Sequence, residues 1–266
     1  MELRNFLFAP LKNKKFGFTI RANQQGLLSG SKELAQLIET LPINIDYIAK
    51  EGTSINEGTV ILRGEGEAEA VASSEEKLLG VIGKPSGVAT SAANFVRESE
   101  GKIRIVCGAW KKVVSEIRPA LRQAIATGGA GIRITDEPFI YLDKNYVRML
   151  GSVGQAVRRA KEFSEGRVVS VQIKGEQQNI LQEALEGYEA GAGILMVDTG
   201  HIQDLKSIIR FAQNKGWRQK VKLAFGGGAR LEDLPKFIST GADIIDVGRG
   251  IIDAPMIDFS FDVTIL

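Results

Sequence analysis

From about residue 103 onward the chain repeats one pattern, and this repeat restricts the possible folds more than any other feature. An apolar, β-branched run is followed by a polar or glycine break and then by a segment with apolar residues three and four positions apart. Strands that alternate with amphipathic helices at a period of about 25 residues form a parallel sheet with helices outside it. The sequence therefore predicts an α/β barrel, closed or nearly closed.

Six strands and four helices make up the predicted barrel. The strands read "IRIVCGAW", "FIYLD", "RVVSVQIK", "AGILMVDTG", "KVKLAFGGG" and "ADIIDVGRG". The helices read "VGQAVRRAKEFSE", "ILQEALEGYEAG", "IQDLKSIIRFAQNKG" and "RLEDLPKFISTG". Glycine commonly follows the last helical residue, as it does after "FAQNK" and "FIST".

The first hundred residues lack this rhythm and indicate a separate domain. There "SKELAQLIETL" predicts a helix, "EGTSINEGTVILRGEGEAEAVA" a hairpin-like pair of strands, and "SGVATSAANFVRESEG" a helix that leads into the barrel. The last eight residues, "FSFDVTIL", alternate as an edge strand does. We therefore predict a packing and dimerisation domain over 1–102, a barrel over 103–253, and a terminal strand within 254–266 that returns to the first domain.

Composition narrows the class of partner. The 266 residues are 44% hydrophobic and 25% charged with a net charge of +2, and the basic residues are dispersed, which predicts neither a nucleic-acid nor a membrane partner. Cys107 is the single cysteine, so an intrachain disulfide and a CxxC zinc site are excluded. No apolar run is long enough for a signal peptide or a membrane span. We expect a cytoplasmic protein with a small-molecule ligand.

Two strands in succession run directly into glycine. Gly226, Gly227 and Gly228 follow one strand, and Gly248, Arg249 and Gly250 follow the next. The carboxyl ends of barrel strands share one face, where glycine lets the backbone approach a ligand and turn its N–H groups inward. A following helix start adds positive partial charge. Two adjacent turns thus predict a phosphate site, whereas either turn alone is equally explained by crowding at a strand end.

Polar side chains near the same face suggest further roles. Asp198 ends a strand and is able to hold a metal ion or a sugar hydroxyl, or else to cap a helix. His201, the single histidine, is a candidate for acid–base chemistry, although a structural role at a helix start is commoner. Lys111, Lys112 and Arg133 offer charge to an anion, the alternative for each being a solvated surface residue.

The order of several motifs carries a family resemblance. These motifs are "SGVATSAANFVRES", "IRIVCGAWKK", "ATGGAGIR", "ILMVDTG", "GGGARLED", "ADIIDVGRG" and "IDFSFDV", preceded by "APLKNKKFGFTIRANQQGLLSG" and "EGTSINEGTVILRGEGEAEAV". Together they resemble the quinolinate phosphoribosyltransferase family, also called nicotinate-nucleotide pyrophosphorylase (carboxylating), over nearly the whole chain. The resemblance implies an α/β fold in which an amino-terminal α/β sandwich domain joins an incomplete α/β (TIM-like) barrel. It also implies a homodimer, with each active site completed by the neighbouring subunit.

The same resemblance implies a reaction and a set of site residues. The family condenses quinolinate with phosphoribosyl pyrophosphate (PRPP), uses Mg²⁺, and releases pyrophosphate and carbon dioxide. Its Thr-Arg-Lys-Thr stretch reads "AWKK" here, so the lysine that meets pyrophosphate is kept as Lys111 and the arginine that holds the aromatic acid becomes Trp110. Its His-Arg pair keeps only Arg133. Its Lys-Asp-Asn-His stretch begins Asp143-Lys144, so an acid replaces the first lysine.

The residues assigned to ribose, metal and phosphate are kept in part. The family's strand glutamate that helps to bind ribose and metal falls on Gln172, and its partner aspartate is kept as Asp198. An arginine before its Ser-Gly-Ile-Ala-Thr stretch falls near Lys84, which keeps the charge without the bidentate fork. Its Glu-Ala-Ser-Gly-Gly stretch reads "AFGGG", so both glycine turns persist.

These differences favour an altered acceptor. Binding a dianionic acid takes several charge-assisted hydrogen bonds of about 1.5–3 kcal/mol each, and this pocket has lost an arginine, a histidine and a lysine. We predict a phosphoribosyltransferase in which Trp110 stacks on a different aromatic or less charged acceptor. Two alternatives are an inactive homologue that binds a nucleotide or sugar phosphate, and a barrel lyase that forms a Schiff base on a strand lysine such as Lys222.

Overall fold

The computed structural model describes residues 3–266, and its contacts group the chain into two units. The first unit comprises residues up to Ala93 together with Val113–Gly129 and Asp253–Leu266. The second unit comprises Asn94–Lys112 and Ala130–Ile252. Within residues 3–266 no helix combines the length and the apolar character needed to cross a bilayer.

The helices and strands are numbered in chain order. The strands are β1 Lys15–Ala22, β2 Gly26–Leu27, β3 Ile43–Ile48, β4 Ser54–Ile55, β5 Val60–Glu67, β6 Arg104–Val106, β7 Phe139–Leu142, β8 Val168–Ile173, β9 Ile194–Val197, β10 Lys222–Gly226, β11 Ile244–Asp246 and β12 Phe259–Ile265. The helices are α1 Leu3–Phe8, α2 Ser31–Ile38, α3 Ala68–Ser99, α4 Arg118–Thr127, α5 Lys144–Leu150, α6 Val153–Phe163, α7 Ile180–Glu189, α8 Ile202–Asn214, α9 Leu234–Ile238 and α10 Arg249–Ile252.

The first unit is built on an antiparallel sheet in the order β12-β1-β5-β3. β12 is an edge strand and pairs along its whole length with β1. The predicted hairpin over "EGTSINEGTVILRGEGEAEAVA" is wrong, because β4 pairs with β2 while β5 pairs with β1 and β3. The end of that segment, from Ala68, is helical. Local alternation identified extended chain there, but the choice of partner strand depends on distant residues.

Helix α3 is much longer than the sequence predicted. It runs for 32 residues and contains Pro85, before which the sequence pattern placed no helix. Leu78, Ile82, Ala89 and Phe95 are buried along it, four to seven positions apart. Because tertiary burial of one continuous face outweighs local propensity, the proline is accommodated inside the helix.

Helix α4 belongs with the first unit, although the predicted domain limits of 102 and 253 grouped it with the barrel. A side chain at Gly128, just after α4, would come within 2.5 Å of the Ala89 carbonyl oxygen and of the Ala92 Cβ atom. The Thr127 hydroxyl also donates to Glu51 Oε1 at 2.7 Å. Close backbone approach to α3 therefore ties this helix to the first unit.

The second unit is a parallel sheet of six strands in the order β6-β11-β10-β9-β8-β7, and it confirms the predicted incomplete barrel. Its interior is filled by small and medium apolar side chains, namely Val106, Ile134, Ile194, Met196, Ala224 and Ile244. Helices α6, α7 and α8 each bury one face at helical spacing, as the sequence predicted for them.

Candidate functional site

Strand alternation decides which side chains face the interior at the carboxyl edge of the barrel. Ile194 and Met196 of β9 belong to the interior cluster, so Asp198, two residues on, continues the same side. By the same rule Asp246 follows Ile244 on β11. Parallel pairing sets Gly226 of β10 beside Asp246, and the two glycine turns therefore leave the sheet side by side.

The first turn needs glycine for conformational reasons. Gly227 and Gly228 have φ values of 114° and 90°, in the left-handed region that other residues rarely adopt. A Cβ atom at Gly227 would also lie 2.7 Å from the backbone N and Cα atoms of Gly200. Among residues 3–266 the N–H groups of Gly227 and Gly228 have no hydrogen-bond acceptor, so both are available to a ligand.

In the second turn, one glycine is explained by crowding and the other is not. Gly250 is crowded, because a Cβ atom there would lie 3.1 Å from Phe95 Cζ and 3.3 Å from the Ala229 carbonyl oxygen. Gly248 is not, since its nearest neighbour would be Ala109 Cβ at 3.8 Å and its φ is not positive. No acceptor in the described chain takes the Gly248 N–H. No contact within residues 3–266 requires glycine at 248, which is the pattern expected where a ligand approaches the backbone.

Asp198 is held by hydrogen-bond donors. Gln172 Nε2 donates to Asp198 Oδ2 at 3.0 Å, and the backbone N–H of Lys144 donates to Gln172 Oε1 at 2.8 Å. Because a backbone N–H can only donate, this second bond fixes the orientation of the amide. Lys174 Nζ lies 2.6 Å from the Asp198 carbonyl oxygen and 3.9 Å from Asp198 Oδ2.

The expected magnesium ion does not fit this donor set. An Mg²⁺ site needs oxygen ligands, commonly one or two carboxylates. Here the groups that face the Asp198 carboxylate are the amide NH₂ of Gln172 and the ammonium of Lys174, and neither is able to ligate a cation. In the described part of the chain, no three His, Cys, Asp or Glu side chains are grouped in a way that would hold a metal.

Lys111, Tyr141 and Asp246 are further polar groups near the carboxyl edge, with Tyr141 on β7, which pairs with β8, and Asp246 at the end of β11. Lys111 Nζ lies 5.4 Å from the centre of the Tyr141 ring, within the range of a cation–π interaction. Asp246 Oδ1 accepts a 2.9 Å hydrogen bond from the Gly108 N–H. Burial raises the pKa of the Asp246 carboxyl, which outweighs the Gly108 bond and the attraction of Lys111. Burial likewise raises the pKa of the Tyr141 hydroxyl, so it stays protonated.

Trp110 presents a fixed aromatic plane. Its indole N–H donates to the Ile132 carbonyl oxygen at 3.0 Å, and its side chain is half-buried. Arg133, which follows Ile132 in the chain, is exposed. The hydrogen bond to Ile132 fixes the orientation of the indole plane.

Cys107 lies at the end of β6 and is fully buried. Its sulfur contacts the Gly248 carbonyl oxygen at 3.8 Å. Burial raises the pKa of the thiol to about 12, so the sulfur is not a thiolate nucleophile near neutral pH.

The remaining candidate residues lie in simpler surroundings. Asp143 caps α5, since its Oδ1 accepts from the N–H groups of Asn145 and Tyr146. His201 is exposed at the N-cap of α8 without a capping bond from its side chain. Lys84 belongs to the first unit, where its ammonium donates to the Ala254 carbonyl oxygen at 2.7 Å. Lys112, Lys144 and Arg249 are exposed.

Lys222 is placed unfavourably for Schiff-base chemistry. It is the first residue of β10, at the end of the strand opposite the glycine turn, and it is exposed. The carboxyl edge, where barrel active sites form, lies at the far end of the same strand.

Sequence reasoning missed Tyr141, Lys174 and Asp246. Each stands at an interior position near the carboxyl end of its strand, in step with Gln172 or Asp198. A usable signal was present in the polar residue that interrupts an apolar run, as in "IIDVG" and "VQIK". Its value depended on knowing which face of each strand points inward.

Comparison with known families gives matches along almost all of the chain. Residues 6–86 match the family model for the quinolinate phosphoribosyl transferase N-terminal domain. Residues 88–262 match the model for the C-terminal domain of the same family.

Individual proteins of known name are also similar to this chain in sequence. A probable nicotinate-nucleotide pyrophosphorylase [carboxylating] of Bacillus subtilis is 27% identical over 249 residues, which cover 92% of this chain and 83% of the relative. The nicotinate-nucleotide pyrophosphorylase [carboxylating] of Homo sapiens is 26% identical over 90% of this chain and 79% of its own length.

Solved structures show the same fold. The crystal structure of nicotinate-nucleotide pyrophosphorylase from Pyrococcus furiosus has a TM-score of 0.85 at 22% identity and covers 98% of this chain and 72% of its own. The corresponding protein from Francisella tularensis has a TM-score of 0.80 at 22% identity, with 97% and 90% covered. With both domain models matched in order, this chain belongs to the quinolinate phosphoribosyl transferase family.

Proposed function

We propose that this protein is a phosphoribosyltransferase of the nicotinate-nucleotide pyrophosphorylase type, with an altered acceptor pocket. Family membership over both domains and the names of relatives that span about nine-tenths of the chain support the reaction class. The observation that carries the proposal is the pair of adjacent glycine turns after β10 and β11, in which the N–H groups of Gly227, Gly228 and Gly248 have no acceptor within residues 3–266.

The proposed donor substrate is PRPP. Its 5′-phosphate binds at the turns Gly226–Gly228 and Gly248–Gly250, where the N–H groups of Gly227, Gly228 and Gly248 donate to it, because a backbone cradle of this kind suits a phosphoryl group. Asp198 accepts hydrogen bonds from the ribose hydroxyls, and Lys111 stabilises the charge that develops on the departing pyrophosphate. The sequence predicted Mg²⁺ at Asp198, and we propose instead that Mg²⁺ accompanies PRPP as its counter-ion, without a role for it in any step.

The proposed acceptor is an aromatic acid with fewer charged groups than quinolinate. Trp110 offers its anchored ring to the acceptor plane, and Arg133 is the candidate for a single carboxylate. A ring atom of the acceptor with a free electron pair bonds to the anomeric carbon as the bond from that carbon to the pyrophosphate oxygen breaks. The electron pair of the broken bond leaves with pyrophosphate.

The test is a panel assay. The purified protein is incubated with PRPP, MgCl₂ and, in turn, quinolinic, nicotinic and other pyridine carboxylic acids, with benzoic acid as the comparison that lacks a ring nitrogen, while pyrophosphate release and the mass of any mononucleotide are measured. We expect release that depends on an acceptor, with a monocarboxylic acid preferred over quinolinate. Absence of release with every acid contradicts the proposal. Tight calorimetric binding of PRPP without turnover would then identify the inactive binding protein instead.

Two further expectations accompany this proposal. A homodimer in solution is expected from the resemblance, and sedimentation equilibrium measures it directly. A cytoplasmic location is expected from composition, and fractionation of cells that express the tagged chain tests it.

A further inference from the structure

Lys174 brings a positive charge to the centre of the barrel mouth. It follows β8 immediately, and alternation from Ser170 and Gln172 sends its side chain to the interior side. Its ammonium contacts the Asp198 carbonyl oxygen at 2.6 Å and lies 3.9 Å from Asp198 Oδ2. About a quarter of the side chain remains exposed, so the ammonium can still reach a ligand.

A buried carboxylate fixes the backbone beneath this lysine. Glu183 is 2% exposed, and its Oε2 accepts from the N–H groups of Lys174 at 3.0 Å and Gly175 at 2.8 Å. Its Oε1 accepts from the N–H of Gln177 at 2.9 Å. Bonds to a buried charged acceptor are strong, and together they hold the segment after β8 in one conformation. The ammonium of Lys174 is therefore preorganised over Asp198 before any ligand binds.

The local charge balance removes the need for a metal. The family pattern places a glutamate and an aspartate here, two negative charges that a divalent cation neutralises. This chain has a neutral amide at Gln172, one ammonium at Lys174 and one carboxylate at Asp198, which sum to zero. A divalent cation beside Asp198 would meet the ammonium as a like charge at close range.

We propose that the ammonium of Lys174 takes the place of a protein-held divalent cation beside Asp198 and binds the phosphorylated ribose substrate there. The identity of the substrate rests on the proposed function, whereas the absence of a cation site at Asp198 does not.

Manganese binding tests, without any turnover, the claim that the protein has no cation site at Asp198. Mn²⁺ is titrated into the protein and free Mn²⁺ is followed by electron paramagnetic resonance, with the wild type, Asp198→Asn, Lys174→Glu and Lys222→Met compared. We expect the wild type, Asp198→Asn and Lys222→Met to behave alike, and Lys174→Glu, which places a second carboxylate beside Asp198, to hold one Mn²⁺ per chain. One Mn²⁺ per wild-type chain that Asp198→Asn releases would overturn the proposal.

Calorimetry with PRPP tests the claim that the Lys174 ammonium binds the phosphorylated ribose substrate. In EDTA the wild type and Lys222→Met should bind PRPP equally, and Lys174→Met should bind about tenfold more weakly or worse, because it loses a charge-assisted contact. Equal affinity of Lys174→Met, or wild-type binding only after Mg²⁺ is added, contradicts the role of Lys174. Failure of every variant to bind PRPP in either buffer contradicts the proposed function, and the manganese titration still decides the cation question. Glu183 contacts only the backbone N–H of residue 174, so both substitutions at that residue leave the hydrogen bonds of Glu183 intact. Thermal melting followed by circular dichroism verifies this.

Discussion

On the β10–β11 side of the barrel mouth the groups that face a ligand are backbone N–H groups, whereas on the β7–β9 side they are linked side chains. The glycine turns need only the right backbone path and room above it. The Gln172, Lys174 and Asp198 cluster needs each partner in place, since each fixes the next. Substitution therefore alters the second side more easily, which fits the retained glycine turns and the presence of Gln172 where the family pattern has a glutamate.

Replacing the buried carboxylate of Glu183 should disrupt the β7–β9 side of the barrel mouth and leave the glycine turns unchanged. Glu183→Gln turns an acceptor of several N–H groups into one that faces them with its own NH₂ donors, and should lower the free energy of unfolding by about 3 kcal/mol. Urea unfolding measures this loss. Glu186→Gln is the control, because Glu186 is half-buried and accepts from Ser152 and Gln178. Equal losses for the two variants would mean that Glu183 is an ordinary surface-type contact.

Lys111 should matter most to turnover. Lys111→Met removes the charge that faces departing pyrophosphate and should slow pyrophosphate release about 100-fold. The neighbouring exposed residue supplies the control, as Lys112→Met should keep a rate near that of the wild type. A parallel loss in both variants would point to general electrostatic attraction of PRPP and not to a specific contact.

Gly248→Ala should separate ligand access from stability on the backbone side. The substituted methyl group meets nothing closer than Ala109 Cβ at 3.8 Å, so the thermal midpoint should match that of the wild type. Ribose 5-phosphate should bind about tenfold more weakly or worse, because the methyl group occupies space over the turn. Gly166→Ala, in an equally open place away from the mouth, is the control. Unchanged phosphate affinity in Gly248→Ala would show that the ligand does not approach this turn.

Asp246→Asn should give the smallest effect and a defined pH dependence. Because burial raises the pKa of Asp246 in the folded state, its contribution to stability is greatest at low pH and is lost as the pH rises through that pKa. The substitution should therefore raise the thermal midpoint at pH 8 by about 2–4 °C and leave it nearly unchanged at pH 4. A lower midpoint at pH 8 would mean that attraction between the carboxylate and Lys111 outweighs burial.

The fold was largely predictable where the sequence is periodic. The six barrel strands and the helices α6, α7 and α8 follow directly from apolar spacing. The start of α3 was not predictable, because Pro85 normally ends or kinks a helix. Burial of a long helix face that includes Leu78 and Phe95 outweighs this local preference. The pairing of β4 with β2 was not accessible either, because a strand's partner is chosen by residues far away in the chain.

The two sides of the site differed in predictability for the same physical reason that they differ in construction. Glycine at a strand end is visible in the sequence, and so is the carboxylate of Asp198. The link from Lys144 through Gln172 to Asp198 joins three strand ends and appears only when the sheet order is known. Lys174 is visible in the sequence only as a polar residue after the apolar run of β8, and its contact with Asp198 appears only in the structure.

The central claim is that the two glycine turns form one phosphate site, and a crystal structure with ribose 5-phosphate tests it most directly. We predict the phosphate between the turns, with its oxygens about 2.7–3.2 Å from the backbone nitrogens of Gly227, Gly228 and Gly248. Phosphate bound elsewhere in the barrel mouth at saturating ligand, with both turns empty, would contradict the account.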